Sequence, residues 1–237
     1  MNVLIFGATG MVGQGVLREA LLDPGVTRVV TVGRRATGVQ DPKLRELVHA
    51  DLFHLESLEA DLTGFDGGFY CLGVTSVGMS EADYTRITFD LTMAVAETLA
   101  RLNPQMTFVF VSGAGADSSE TGRLMWARVK GRAENAVARL RFKAAYTFRP
   151  GVIQPLHGIT SRTGWYRAVY VVMGPVLTAM RWIAPSFVLT TEQIGQAMLA
   201  VARHGAPTRV LEAGDVAAAA RGRGDAENTA INPLLTP

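Results

Sequence analysis

Three glycines within seven residues constrain this chain more than anything else in its 237-residue sequence. Gly7-Ala8-Thr9-Gly10-Met11-Val12-Gly13 follows the apolar run Val3–Phe6 and opens a helical pattern at Met11–Leu22. A helix that starts straight after a strand leaves its first backbone N–H groups without intrahelical partners. Gly7 permits the tight turn, Gly10 lets the main chain come close to a ligand, and Gly13 lets the helix pack on the strand. The segment therefore reads as a cradle for the pyrophosphate of a dinucleotide, with Thr9, Met11 and Val12 completing it.

Beyond the cradle, short β-branched runs alternate with helical patterns, the signature of strand–helix–strand units in a parallel sheet. Strands are predicted at Val3–Phe6, Val29–Val32, Leu47–Ala50, Gly68–Leu72, Thr107–Val111 and Ala145–Phe148. Each is apolar on both sides, as a strand covered on both faces should be. Helices are predicted at Met11–Leu22, Glu81–Leu102 and Gly122–Leu140, with a shorter one at Leu55–Glu59. The expected fold class is α/β: a doubly wound, mostly parallel Rossmann sheet with helices on both faces and a small C-terminal substrate-side extension.

The pattern thins after Arg149-Pro150-Gly151. A helix is expected from Thr191-Glu192, capped by Thr190 or Thr191, and a last strand at Arg209–Glu212. One domain is drawn over 1–213, its substrate-side region mainly at 151–190. The Ala-, Gly- and Arg-rich residues 214–237 read as a mobile tail, with a short helix at Val216–Ala220.

Apolar residues make up 48% and charged residues 19%, ordinary for a globular enzyme-sized domain. A net charge of +2, without any basic run interleaved with aromatics, argues against nucleic acid as a partner. Cys71 is the only cysteine, so no internal disulfide forms, and its strand setting reads as a small buried residue. His49 and His54 straddle a strand-to-loop junction near Asp51 and Glu56, not one helical face, so no metal site is expected. His157 reads as a pocket residue. Met1 runs directly into an apolar strand without a basic leader, which makes the cytoplasm the expected compartment. The apolar stretch Trp165–Pro185 is interrupted by Arg167, Arg181 and Gly174-Pro175. It reads as a lipophilic pocket wall, a dimer face or a peripheral membrane contact in preference to a span.

The second strand should end beside the adenosine ribose, where an NAD site usually keeps an acid for the 2′-hydroxyl. Here the chain reads Thr31-Val32-Gly33-Arg34-Arg35. Two guanidinium groups suit a 2′-phosphate, and one charge-assisted contact of roughly 1.5–3 kcal/mol favours NADP(H) by about ten- to a hundredfold.

The spacing G-x-x-G-x-x-G resembles that of the atypical and extended short-chain dehydrogenase/reductases, which include epimerases and dehydratases. Within them, Ser112-Gly113-Ala114-Gly115-Ala116-Asp117, Lys130-Gly131 and Arg149-Pro150-Gly151-Val152 resemble the Tat-interacting-protein-like branch. The resemblance implies that Asp51 and Leu52 meet the adenine, and that Leu72, Gly73 and Val74 pass beside the cofactor. Pro150, Gly151 and Val152 are carried over likewise. It further implies that Ser112 polarises a substrate oxygen and that Lys130 holds the nicotinamide ribose. Where the family carries its catalytic tyrosine, four residues before the lysine, this chain has Trp126. An indole N–H donates a hydrogen bond but exchanges no proton near neutral pH, and losing a general acid costs about 10²–10⁴-fold. Tyr84, Tyr166 and Tyr170 are the candidate replacements, with Ser118 and Ser119 weaker ones. Asp90 is assigned to its helix.

Two readings follow. One is an NADP-dependent oxidoreductase or epimerase-like enzyme on a small, apolar carbonyl or hydroxyl substrate. The other is a catalytically weak regulatory or scaffold protein that senses NADPH. A homodimer through the helices at 81–102 and 122–140 is left open by the resemblance.

Overall fold

The computed structural model describes residues 1–159 and 188–231, with side chains to residue 222. The apolar stretch at 165–185, with Tyr166 and Tyr170, lies outside the described residues.

Seven parallel strands form the main sheet among the described residues, in the order β3-β2-β1-β4-β5-β6-β9. They are β1 (Asn2–Phe6), β2 (Arg28–Gly33), β3 (Leu44–Val48), β4 (Gly67–Tyr70), β5 (Thr107–Val111), β6 (Ala144–Arg149) and β9 (Val210–Glu212). A separate parallel pair joins β7 (Val152–Gln154) to β8 (Val188–Thr190). The helices are α1 (Met11–Leu22), α2 (Glu81–Thr85), α3 (Leu91–Leu102), α4 (Met125–Ala138), α5 (Thr191–His204) and α6 (Ala213–Ile231).

Alternation along β1 builds both halves of the core. Val3 and Ile5 pack with Val16 of α1, Ile194 of α5 and Val216 of α6, whereas Leu4 and Phe6 pack with Val95 and Leu99 of α3 and Ala133 of α4. Strand order turns at β1, whose neighbours β2 and β4 carry the chain to opposite sides of the sheet. The loops leaving β1 and β4 therefore diverge and open a crevice at the sheet's C-terminal edge.

Several elements differ from their sequence expectation. β3 ends two residues before the expected Ala50 and begins at Leu44, because Val29 N–H bonds the Lys43 carbonyl and starts the pairing early. The Lys43 ammonium meanwhile bonds the carbonyls of Leu21 and Asp23 at the end of α1. The helix expected over 81–102 is broken by a π-turn at Arg86–Asp90, where Asp90 sits. α4 begins at Met125 because Gly122 N–H is taken by the Asp117 carboxylate, which keeps residues 118–122 in the loop. Thr190 caps α5 in a reciprocal box with Gln193. The short helix expected at Val216–Ala220 lies within α6, but the stretch around it is not the mobile tail expected from residue 214: Val216, Ala217 and Ala220 bury one helical stripe in the core.

Candidate functional site

Gly7 has φ +84°, and a Cβ there would lie 2.8 Å from the Cys71–Leu72 peptide, so β1 can turn beside β4 only with glycine. Gly10 N–H donates to the Gly7 carbonyl at 2.9 Å and closes the turn. A Cβ on Gly13 would come within 2.1 Å of the same carbonyl. Gly10 is the N-cap of α1 and makes no side-chain cap bond, and no acid stands in the first turn. The N–H groups of Met11, Val12 and Gly13 are thus the unbonded positive end of a twelve-residue helix.

These residues border a cleft of about 360 Å³ lined by Gly7, Ala8, Thr9, Thr31, Val32, Gly33, Arg34, Arg35, Thr37 and Leu72. Arg34 and Arg35 are exposed at its mouth. Thr37 was missed by sequence reasoning, since only the folding of the β2–β3 loop brings it to the glycine turn; Thr31, quoted with the arginine pair but given no role, reaches the cleft from β2. Asp51 is exposed; its carboxylate accepts from Phe53 N–H at 2.9 Å and pairs with His54 Nδ1 at 2.8 Å. The bond from His54 holds the Asp51 carboxyl below its usual range and raises the His54 pKa in turn. Leu52 is buried in the core, leaving only its backbone for a ligand. Gly73 has nothing within 4 Å of a would-be Cβ, and Val74 is exposed. Burial pushes the Cys71 thiol up to about 12, which makes it a poor nucleophile.

A second polar focus lies at the outlet of β5. Ser112 is buried, and its N–H donates to the Phe148 carbonyl at 2.8 Å. Its hydroxyl makes no hydrogen bond to a described residue. The Lys130 side chain runs along Gly113, with its Cε 3.9 Å from a would-be Cβ and its Nζ 5.9 Å from the Phe110 ring centroid. Desolvation lowers the Lys130 pKa to about 8, and Glu134 opposes that shift. Trp126 stands one helical turn before Lys130, its ring 3.5 Å from a would-be Cβ on Gly115. Ser112, Trp126 and Lys130 therefore gather where β5 meets α4. Pro150 contributes a carbonyl that accepts from Ala114 N–H at 3.1 Å, and Gly151-Val152 lead into β7.

Other candidates take structural posts. The Asp117 carboxylate accepts from Ser119 and Gly122 and shapes the loop. Ser118 accepts from Arg149 at 2.7 Å, while Arg149 also bonds Glu134 and Glu212. Tyr84 is buried in α2, Tyr70 lies among Phe6, Phe108 and Phe110, and the Tyr146 hydroxyl accepts from Ala206 N–H. His157 lines a neighbouring cavity of about 570 Å³ that shares Ala8, Thr9 and Thr37 with the cleft, and it bonds Glu192 at 2.6 Å. Among the described residues no cluster of three His, Cys, Asp or Glu could hold a metal, and no helix is long and apolar enough to cross a membrane.

Comparison with known proteins agrees with this geometry. The profile described as NAD dependent epimerase/dehydratase family matches residues 3–122. The mitochondrial protein fmp52 of Emericella nidulans is 33% identical over 159 residues, covering 64% of this chain and 66% of its own. Protein HTATIP2 of Rattus norvegicus is 31% identical over 155 residues, covering 64% and 62%. This chain thus matches just under two thirds of the length of those relatives, and the fmp52 proteins' mitochondrial label lends no support to a cytoplasmic location. Among solved structures, the Bordetella bronchiseptica enzyme WbmF in complex with NAD+ aligns with a TM-score of 0.63 at 16% identity, over 100% of this chain and 79% of that one. The ADP-L-glycero-D-manno-heptose-6-epimerase of Helicobacter pylori aligns at 0.63 and 16% identity, over 89% and 76%. At such identities the likeness is one of fold.

Proposed function

The chain belongs to the NAD dependent epimerase/dehydratase family, and from that premise we propose that it binds NADP(H) and acts as an oxidoreductase or epimerase-like enzyme on a small apolar carbonyl or hydroxyl substrate. One observation carries the reading: the Ser112 hydroxyl is buried with no hydrogen bond to any described residue, and the Lys130 side chain, its amine desolvated, runs along the next residue, Gly113. A buried polar group left unpaired costs about 1–3 kcal/mol. One such hydroxyl beside a desolvated amine calls for polar atoms from a ligand.

When bound, the cofactor supplies a hydride donor or acceptor at its nicotinamide ring. The backbone from Gly7 to Gly13 and the start of α1 face its pyrophosphate, with Thr9 at the lip. Arg34 and Arg35 grip the 2′-phosphate, and Asp51 with the Leu52 backbone meets the adenine. Leu72, Gly73 and Val74 flank the cofactor on one side and Pro150, Gly151 and Val152 on the other. Lys130 holds ribose hydroxyls, Ser112 donates to the substrate oxygen, and Trp126, in the position of the family's tyrosine, walls that oxygen in. Its indole offers a hydrogen bond but no transferable proton.

Calorimetric titration of the purified chain with NADPH, NADP⁺, NADH and NAD⁺ tests the core of this. NADPH is expected to bind about ten- to a hundredfold tighter than NADH. No heat with any of the four would end it.

The sensor reading draws on a separate observation, that Tyr70, Tyr84 and Tyr146, the tyrosines among the described residues, are all buried, with the Tyr146 hydroxyl engaged by Ala206 N–H. It requires NADPH and NADP⁺ to bind with different affinities, because a ligand shifts only an equilibrium it binds unequally. Turnover of NADPH with any member of a broad carbonyl panel would decide for the enzyme.

A further inference from the structure

Beneath the arginine pair lies an acid to which the reading above gives no task. Glu46 of β3 sits directly beside Thr31 of β2 in the parallel register. Its carboxylate accepts from the Thr37 N–H at 2.6 Å, with the Thr31 hydroxyl 3.5 Å from the same oxygen. Thr37 in turn lines both the nucleotide cleft and its larger neighbour. Arg34 and Arg35 occupy the first bend of the same loop, exposed and without an ion-pair partner among the described residues.

We propose that Glu46 is the positioning residue that sets the preference for NADP(H) over NAD(H), by pinning the loop that presents Arg34 and Arg35. The proposal rests on the cofactor reading given above. Two long side chains on an unpinned loop lose more conformational freedom when they close on a phosphate than two on a fixed one. A charge-assisted N–H···O⁻ bond to the Thr37 backbone supplies that fixing, one strand away from the ligand. The pyrophosphate end of the nucleotide is assigned to the Gly7–Gly13 turn and α1, whereas Glu46's hydrogen bonds run to Thr31 and Thr37. Glu46 should therefore be felt by the 2′-phosphate and not by the rest of the cofactor.

Charge and geometry pull in opposite directions here, which makes the sign decisive. A carboxylate near a 2′-phosphate repels it, so if charge alone mattered, its removal would tighten NADPH. If positioning matters, removal loosens it. The test is a set of dissociation constants for NADPH and NADH on the full chain and on Glu46→Ala and Glu46→Gln. Alanine is expected to weaken NADPH about tenfold, the scale of one charge-assisted hydrogen bond, and to leave NADH within about twofold. Glutamine keeps an acceptor oxygen for Thr37 and should restore NADPH to within about threefold of the wild type. The proposal is overturned if alanine tightens NADPH, leaves it unchanged, or weakens both nucleotides equally. A wild-type chain that holds NADPH and NADH equally would instead sink the NADP reading, and the Glu46 assignment with it.

Discussion

The Lys130 amine lies 5.9 Å from the Phe110 ring centroid with its Cε against Gly113, a setting that disfavours its charged form. Its pKa falls from 10.5 to about 8 through desolvation, with Glu134 pulling the other way. In that window, from about 8 to 10.5, the unfolded chain binds more protons at this residue than the folded one. Stability contributed by Lys130 therefore rises with pH across the window, by at most about 1.4 kcal/mol per pH unit, and the full penalty stands below it. Lys130→Met should flatten that slope in denaturant titrations run between about pH 7 and 10, and an unchanged slope would place the titration elsewhere. With only Lys43, Lys130 and Lys143 in the chain, isotope-labelled methylation should also resolve one lysine titrating near 8. Arg149 presents the opposite case. Its guanidinium bonds Glu134 at 3.1 and 2.5 Å, Glu212 at 3.1 Å and Ser118 at 2.7 Å, and Glu134 is 3% exposed. Arg149→Ala leaves a buried carboxylate without its partner, so it should cost about 3–5 kcal/mol in urea unfolding. Pairing it with Glu134→Gln should recover part of that loss.

At the scale of elements, α4 reaches the β5 outlet through one glycine. A Cβ on Gly131 would sit 1.8 Å from the Asp117 carbonyl, and Asp117 N–H bonds the Ala127 carbonyl of the same helix. Gly131→Ala must lift α4 from the loop that follows Ser112, pulling Trp126 and Lys130 away from it. NADPH affinity is expected to drop at least about tenfold while far-ultraviolet dichroism stays near wild type, since overpacking of this kind costs about 1–3 kcal/mol. Unchanged binding would detach α4 from the cofactor site. This contact also marks what the sequence made legible. The glycine spacing and the succession of strands and helices lie in short stretches of chain, where spacing and periodicity read them, while Lys130-Gly131 was legible only through the family it resembles. The π-turn at Arg86–Asp90 hides inside a continuous helical pattern, and the three-residue strands β7 and β8 are too short to show a period. Glu46 and Thr37 were illegible for another reason. Their bond depends on the register between β2 and β3, a relation that sequence spacing does not encode, and β3 itself was expected three residues too late.

For the molecule as a whole, α6 decides where the domain ends. Its four consecutive alanines, Ala217–Ala220, have high helix propensity, and the helix lies against α5. Val216, Ala217 and Ala220 are 0%, 1% and 5% exposed, so one stripe of α6 completes the core shared with β1, α1 and α5. A chain stopped after Glu212 would return that stripe's partners to water. Burial of one valine and two alanine methyls corresponds to roughly 3–5 kcal/mol, a large share of the 5–15 kcal/mol typical of a domain. Tm should fall by roughly 6–20 °C in calorimetry, at about 2–4 °C per kcal/mol for a chain of this size. The loss should reach the cofactor only indirectly. α5 packs against α1 through Gly15 and Gly195, where a Cβ on Gly15 would come 2.4 Å from the Thr191 carbonyl. The Gly7–Gly13 turn, however, rests on β1 and β4, whose packing on α3 and α4 is untouched. Below its lowered Tm the shortened chain should therefore keep NADPH affinity within about threefold, less than half a tenfold step in free energy. A truncation that left Tm unchanged would show that the C-terminal helix stands outside the core.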